Sequence, residues 1–341
     1  VATGARPLRP PIPGIEAEGI HGIQTLNDGL AVQEALAATP ERVVVVGGGY
    51  IGLEMAEALV MKGVKVTLVE AAPQPMRTLD PDMGALVTDA LRDVGVEVRL
   101  DEGVEAFETD GGRVRAVATS RGPIPTDLVI LGLGTRPRSD LMERAGIPVG
   151  ETGGIRTDLR MRTEHESIWA AGDCVETFHR VSRRPVAIAL GTHANKQGRV
   201  AGINLGGGYA TFPGVVGTAV SRICSLEVAR TGLSEAQARE AGFRFTAVVT
   251  ESTTRAHYYP GAEDITVKLV AEQGTGRLLG AQILGRAGAA KRIDVLATCI
   301  WNEMTVEEIH GMDLSYAPPF SPVWDPVLIA ARRTAERLEG G

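Results

Sequence analysis

The segment Arg42-Val43-Val44-Val45-Val46 constrains this chain most, because a glycine cluster follows it at once. Four consecutive β-branched residues suit a parallel strand buried on both faces. Gly47-Gly48-Gly49-Tyr50-Ile51-Gly52 comes next, followed by a helical pattern from Tyr50 to Lys62 and a strand pattern from Lys65 to Glu70. Strand, Gly-x-Gly-x-x-Gly, helix and second strand make a βαβ unit with the spacing that cradles a dinucleotide. Gly47 permits the tight turn, Gly49 lets backbone approach a pyrophosphate, and Gly52 lets helix and strand pack closely. Tyr50 and Ile51 open the helix, whose free N–H groups and positive dipole end suit phosphate. Glu70 stands at the end of the second strand, where a carboxylate accepts from a ribose diol and repels a 2′-phosphate. Ala71 and Ala72 follow it with no arginine, which favours NADH over NADPH.

The pattern continues as alternating helix and strand. Residues 25–38 and Met83–Val94 read as helices, the second with Gly95 at its end, and Val96–Leu100 reads as a strand. Residues 103–129 read as a β-meander leading into the apolar run Asp127–Leu131. This order predicts an α/β fold with a parallel sheet. After residue 211 the texture changes. Strand-like Phe245–Thr250, Ile265–Val270 and Leu278–Leu284 alternate with helical Ser234–Ala241, Lys291–Asn302 and Thr305–Ile309, predicting a separate α+β domain. At 341 residues the chain has room for two or three domains. A net charge of −7 argues against a strongly basic nucleic-acid binder. The most apolar stretch, Val43–Met61, is interrupted by four glycines and two glutamates, which argues against a membrane span. Cys174, Cys224 and Cys299 have neither disulphide-framework nor metal spacing. His165, His179, His257 and His310 show no metal spacing either, and structural roles are expected for them.

Three further features bear on ligands. Ile168–Gly172 reads as a buried strand ending at Gly172-Asp173, where two alanines and a glycine leave room at a strand's carboxyl end. Pro185–Leu205 reads as a helix entered through Gly191-Thr192-His193, whose dipole suits negative charge. Val1–Gly4 reads as the end of a buried strand running into a glycine turn, an expectation that material precedes Val1. The segment Ala2–Pro7 is echoed by Gly132–Pro137, which suggests two related nucleotide-binding units.

Ala2-Thr3-Gly4, the glycine motif, Ala170-Ala171-Gly172-Asp173 and the Gly191-Thr192 helix, in this order, resemble the FAD-dependent pyridine nucleotide–disulphide oxidoreductases. The resemblance covers essentially the whole chain. The segments His257–Ala262 and Tyr316–Ser321 are similar to those of the CoA-disulphide reductase and NADH oxidase branch. The resemblance implies a Rossmann-like NAD domain (21–138) inserted in a truncated FAD-binding domain (1–20 and 139–211), followed by an α+β dimerisation domain (212–341). It places Thr3 and Gly4 at the border of FAD, Gly172 and Asp173 at its ribityl chain, and Gly191, Thr192 and His193 near the flavin ring. Gly132 and Gly134 would pass near NAD. Tyr50 would be the aromatic gate over the flavin, with a plain surface aromatic as the alternative. Glu54 would face the flavin–nicotinamide contact. Tyr258 and Tyr316 would reach across a homodimer to a redox cysteine, or simply pack at that interface. The redox cysteine of the family would lie before Ala2, and the three cysteines present read as small buried hydrophobes, Cys224 within a strand-like run. The implied activity passes a hydride from NADH, or NADPH, to FAD and on to that cysteine, reducing a CoA-derived disulphide in the cytoplasm. NADH oxidase or peroxidase, a flavin reductase for an iron–sulphur partner, and a catalytically incomplete NAD-binding dimerisation fragment are the alternatives.

Overall fold

A computed structural model describes residues 1–340. Its first sheet is parallel throughout, in the order Ile20–Gly22, Leu128–Leu131, Arg42–Val46, Lys65–Val69, Glu97–Arg99. The valine run supplies the central strand. Because side chains alternate along a strand, Val43 and Val45 enter one core with Leu53, Ala56 and Leu59 of the Tyr50–Met61 helix. Val44 and Val46 enter a second core with Phe107 and Val117 of the meander (104–110, 113–119, 122–125). The run is apolar on both faces because it feeds both cores. A further helix, Pro81–Asp93, begins with Asp80 as N-cap and Pro81 in its first turn, and Gly95 follows it with φ +93°.

The C-terminal domain is an antiparallel five-stranded sheet in the order Ala219–Ile223, Leu226–Gly232, Leu278–Gly285, Asp264–Glu272, Phe245–Thr253. One face packs on the Ile293–Trp301 and Pro326–Glu339 helices. The other meets the parallel-sheet unit, where Ile223, Val228 and Leu284 join the core of Val43 and Leu53. Among the described residues no helix is long and apolar enough to cross a membrane.

Four local expectations need correction. Val1–Gly4 is exposed or half-exposed, not buried, although Val1 makes the two bonds of a parallel ladder step around Ala170: its amino group donates to Trp169 and its carbonyl accepts from Ala171. Ile168–Gly172 is not a full strand, for Trp169 makes a single bridge to Arg162 in a short hairpin. The helix does not begin at Pro185. Pro185–Val186 pairs with Thr177–Phe178, and helix starts at Gly191. Cys224 is not in a strand; it sits with φ +58° in the tight turn between Ala219–Ile223 and Leu226–Gly232. The repeated segments pair with each other. Ala5–Pro7 is antiparallel to Thr135–Pro137, with Gly4 and Gly134 both at positive φ where each chain turns in.

His179 is 4% exposed, and its Nδ1 accepts the Ser182 N–H. Burial, reinforced by the Arg230 cation, pushes its pKa down to about 4. The unfolded chain therefore takes up this proton first as pH falls. The stability contribution is full above pH about 6.5 and is lost as pH falls toward about 4, by about 3 kcal/mol in all. Urea titrations at pH 7 and pH 4.5 should show this loss, and His179→Gln should flatten it. An unchanged pH dependence in that variant would assign the effect elsewhere.

Candidate functional site

The glycine motif is built from three glycines that touch one another. A Cβ on Gly47 would lie 2.5 Å from the Gly132 carbonyl oxygen, one on Gly52 would lie 2.0 Å from the Gly47 oxygen, and one on Gly132 would lie 2.8 Å from Gly52 Cα. These three positions are glycine because backbone packs on backbone. Gly132 thus belongs to the turn itself. Gly49 differs: its Cβ would meet only the Gly132 oxygen at 3.7 Å, an ordinary contact. No protein atom requires glycine there, so the space it leaves suits a ligand. Gly49 is also the N-cap of the Tyr50–Met61 helix, and no side chain caps it. The first amides of that helix, at Tyr50, Ile51 and Gly52, are by helical geometry without intrahelical partners. The residues present therefore fit a pyrophosphate.

Glu70 closes the loop from the side. Its Oε2 accepts the Gly48 N–H at 2.7 Å and its Oε1 the Ala72 N–H at 2.8 Å. The carboxylate is thereby held beside the glycine turn, where it would meet a ribose. Gly48 is gripped again through its carbonyl, which accepts the Met76 N–H at 2.7 Å. Met76 and Pro75 carry no mark in the sequence, although a Cβ on Gly48 would lie 3.1 Å from Pro75. Met76 adopts φ +48° without being glycine or asparagine, so no residue signal could have marked it. Tyr50 is half-buried against the central core and lies near the buried Arg230. Glu54 is exposed and accepts from Ser221 of the C-terminal sheet at 3.0 Å. Gly134, at φ +87°, lies beyond this group, with only Leu8 near it.

The second set also gathers. The Thr3 hydroxyl donates to the Arg138 carbonyl at 2.6 Å and anchors the turn at Gly4. Gly172 has φ +87°, and its N–H donates at 2.8 Å to Gln197, a buried side chain on the Gly191–Leu205 helix that the sequence analysis also missed. That helix starts with Gly191 and Thr192 exposed and no side-chain cap. His193 is buried one residue later. Burial first, and Lys196 next, hold its pKa below the usual value, while the Ile188 carbonyl and Asp173 pull the other way. An uncapped helix start, a glycine at positive φ and a half-buried Asp173 fit the polyol chain and electron-rich ring of a flavin.

Tyr258 and Tyr316 meet on an exposed face of the C-terminal domain. Arg292 brings their segments together, for one guanidinium nitrogen donates to both the Thr254 and Phe320 carbonyls. The Tyr258 hydroxyl beside it raises the Tyr316 pKa. Phe320, Val323 and Trp324 are exposed on the same stretch. Of the cysteines, Cys174 and Cys299 are buried, and burial pushes the Cys299 thiol up to about 11. Burial and Glu57 raise Cys224. Cys174 and Cys299 lack the open setting of a redox thiolate, and neither Cys224 nor Cys299 has its lowered pKa.

A parallel sheet with a dinucleotide turn, a second glycine-and-helix site, and an antiparallel domain with an exposed aromatic face together define a two-nucleotide oxidoreductase fold. Comparison with known proteins agrees. Residues 1–198 match the family model described as pyridine nucleotide-disulphide oxidoreductase, and residues 218–326 match its dimerisation domain. The chain belongs to the pyridine nucleotide-disulphide oxidoreductase family. It is 40% identical over 333 residues to the NAD(P)H sulfur oxidoreductase (CoA-dependent) of Pyrococcus abyssi, covering 97% of this chain and 74% of that protein. It is 36% identical to an NADH oxidase of Methanocaldococcus jannaschii, covering 99% of this chain and 75% of that one. The solved structure of an NAD-dependent persulfide reductase from A. fulgidus superposes with a TM-score of 0.97 at 42% identity, covering 99% of this chain and 63% of that one. The chain thus spans less than two thirds of that structure's length and about three quarters of the curated relatives. Members of the family pair a pyridine nucleotide with FAD.

Proposed function

We propose that this chain binds NADH and FAD and serves the reduction of a CoA-derived disulphide or persulfide, acting as a homodimer in the cytoplasm. The observation that carries the reading is the Gly49 void beside Glu70, a space the protein does not need for its own packing. In this reading residues 21–138 form the NAD domain, 1–20 and 139–211 belong to the FAD domain, and 212–341 form the dimer interface. FAD, when bound, supplies acceptance of a hydride from NADH and delivery of two electrons onward. Gly47, Gly49, Ile51 and Gly52 hold the dinucleotide phosphates, Glu70 orients its ribose, and Gly132 and Gly134 border it. Tyr50 covers the space between the two nucleotides until nicotinamide enters, and Glu54 faces that contact. Thr3, Gly4, Gly172 and Asp173 seat the FAD chain. Gly191 and Thr192 present a helix start to the ring, and neutral His193 adds no competing charge. In the overall balance NADH, one proton and a disulphide give NAD⁺ and two thiols. The thiol couple that takes the electrons is none of Cys174, Cys224 and Cys299. Tyr316 donates its proton to the Tyr258 hydroxyl and orients it, and Tyr258 donates a hydrogen bond to the sulphur that leaves. The relationship to the M. jannaschii NADH oxidase supports a second reading, in which oxygen is the acceptor.

NADH consumption by the purified protein, measured without oxygen on CoA disulphide or CoA persulfide and separately with oxygen as the sole acceptor, separates the two. The sulphur acceptor is expected to be preferred, and Tyr316→Phe to slow that reaction about tenfold, the worth of one hydrogen bond. Equal rates with oxygen and an unaffected Tyr316→Phe would favour the oxidase. A colourless protein that binds NADH but no flavin would overturn both.

A further inference from the structure

A row of buried polar side chains crosses the C-terminal sheet on the face turned toward the dinucleotide unit. Arg230, Gln282 and Lys268 stand directly opposite one another on three adjacent strands, so they share that face. They are 8%, 2% and 2% exposed. Gln282 reads Asp80 twice, accepting its N–H at 2.9 Å and donating to its Oδ2 at 2.6 Å. Lys268 Nζ lies 2.7 Å from Asp82, 2.6 Å from Glu235 and 3.4 Å from Asp80. Asp80 and Asp82 begin the Pro81–Asp93 helix, and the chain between Glu70 and Asp80 is the loop that holds the glycine turn. Within it Gln74 donates to the Leu79 carbonyl, and the Met76 N–H donates to Gly48. One end of this loop is thus pinned by Glu70 beside the dinucleotide turn. The other end is pinned by Lys268 and Gln282 of a different domain.

We propose that Lys268 is a positioning residue for the dinucleotide site: through Asp80 and Asp82 it holds the 71–79 loop against Gly48. A buried ammonium with only carboxylates around it is an unusual way to fill a sheet face, since apolar packing would serve stability alone as well or better. Its use here ties the loop to the interface domain with directional bonds. The proposal rests on the reading that the Gly47–Gly52 turn binds NADH, and the test separates the two.

The full-length protein and its Lys268→Met variant are compared in two ways: NADH titration followed by nucleotide fluorescence, and the rate of trypsin cleavage at Arg77, an exposed residue of the loop. Lys268→Met is expected to weaken NADH about tenfold and to speed cleavage at Arg77 about tenfold, with saturating NADH slowing cleavage again. A general loss of structure would open many trypsin sites, so cleavage confined to Arg77 marks the loop. A folded Lys268→Met protein that matches the parent in both measurements overturns the proposal. Should Lys268→Met fail to fold, Asp82→Asn carries the test, because the Asp82 side chain is 47% exposed. It is expected to move both readouts the same way by about threefold, and an unmoved Asp82→Asn overturns the proposal. A parent protein that binds no NADH defeats the dinucleotide reading instead, while cleavage at Arg77 still reports whether Lys268 holds the loop.

Discussion

Gly49→Ala is expected to leave the folded protein almost unchanged and to weaken NADH by at least about a hundredfold, whereas Gly52→Ala is expected to damage both. The difference follows from what each new methyl group would meet. At Gly49 it would find one carbonyl oxygen at 3.7 Å, and the local backbone, with φ −80°, is open to any residue. The methyl would occupy the space beside the uncapped helix start, where the pyrophosphate approaches. At Gly52 it would lie 2.0 Å from the Gly47 oxygen, so the helix must move off the strand. Overpacking of this kind costs about 1–3 kcal/mol and would also displace Gly47 and Gly132. Thermal unfolding and NADH titration on both variants are the measurement. If Gly49→Ala bound NADH as tightly as the parent, the ligand space would have to lie elsewhere.

Glu70→Ala is expected to shift the preference between NADH and NADPH by about a hundredfold toward NADPH, about 2.7 kcal/mol at the transition state. Two effects add. Loss of the carboxylate removes the charge that repels a 2′-phosphate and the acceptor that serves the ribose diol. It also frees the Gly48 and Ala72 N–H groups that Glu70 now engages at 2.7 and 2.8 Å. Loosening of the turn should raise KM for both nucleotides, while the charge effect acts on their ratio. The ratio of kcat/KM for NADH and NADPH is therefore the reading that isolates the carboxylate. An unchanged ratio, with both values lowered equally, would leave Glu70 with only the loop-holding role.

Much of the fold was legible because local chemistry and tertiary demand agree there. The valine run is apolar at every position, and the structure gives it two cores to fill. The same holds for Leu128–Leu131 and for the helix read over Met83–Val94 with its glycine end, which the structure starts two residues earlier at Pro81. Legibility failed where short segments depend on distant partners. Pro185–Val186 is a strand only because Thr177–Phe178 lies beside it, and Cys224 is in a turn only because the two flanking strands fold back on each other. The Gly172 site shows the same division: the glycine and Asp173 are readable, but Gln197, which holds the Gly172 N–H, is one polar helix residue among several.

The sequence by itself determined the parallel sheet, the glycine turn between its strands and the acidic residue that stands beside that turn. These features repeat at fixed short spacings, and each spacing has one steric explanation. Only the tertiary structure brought Gly132 into the packed set of Gly47 and Gly52, because that contact lies in what sits across from each Cα. Only the tertiary structure, too, joined Lys268 and Gln282 to Asp80, residues about 190 to 200 positions apart, since a buried charge finds its partners through space and leaves no period in the chain.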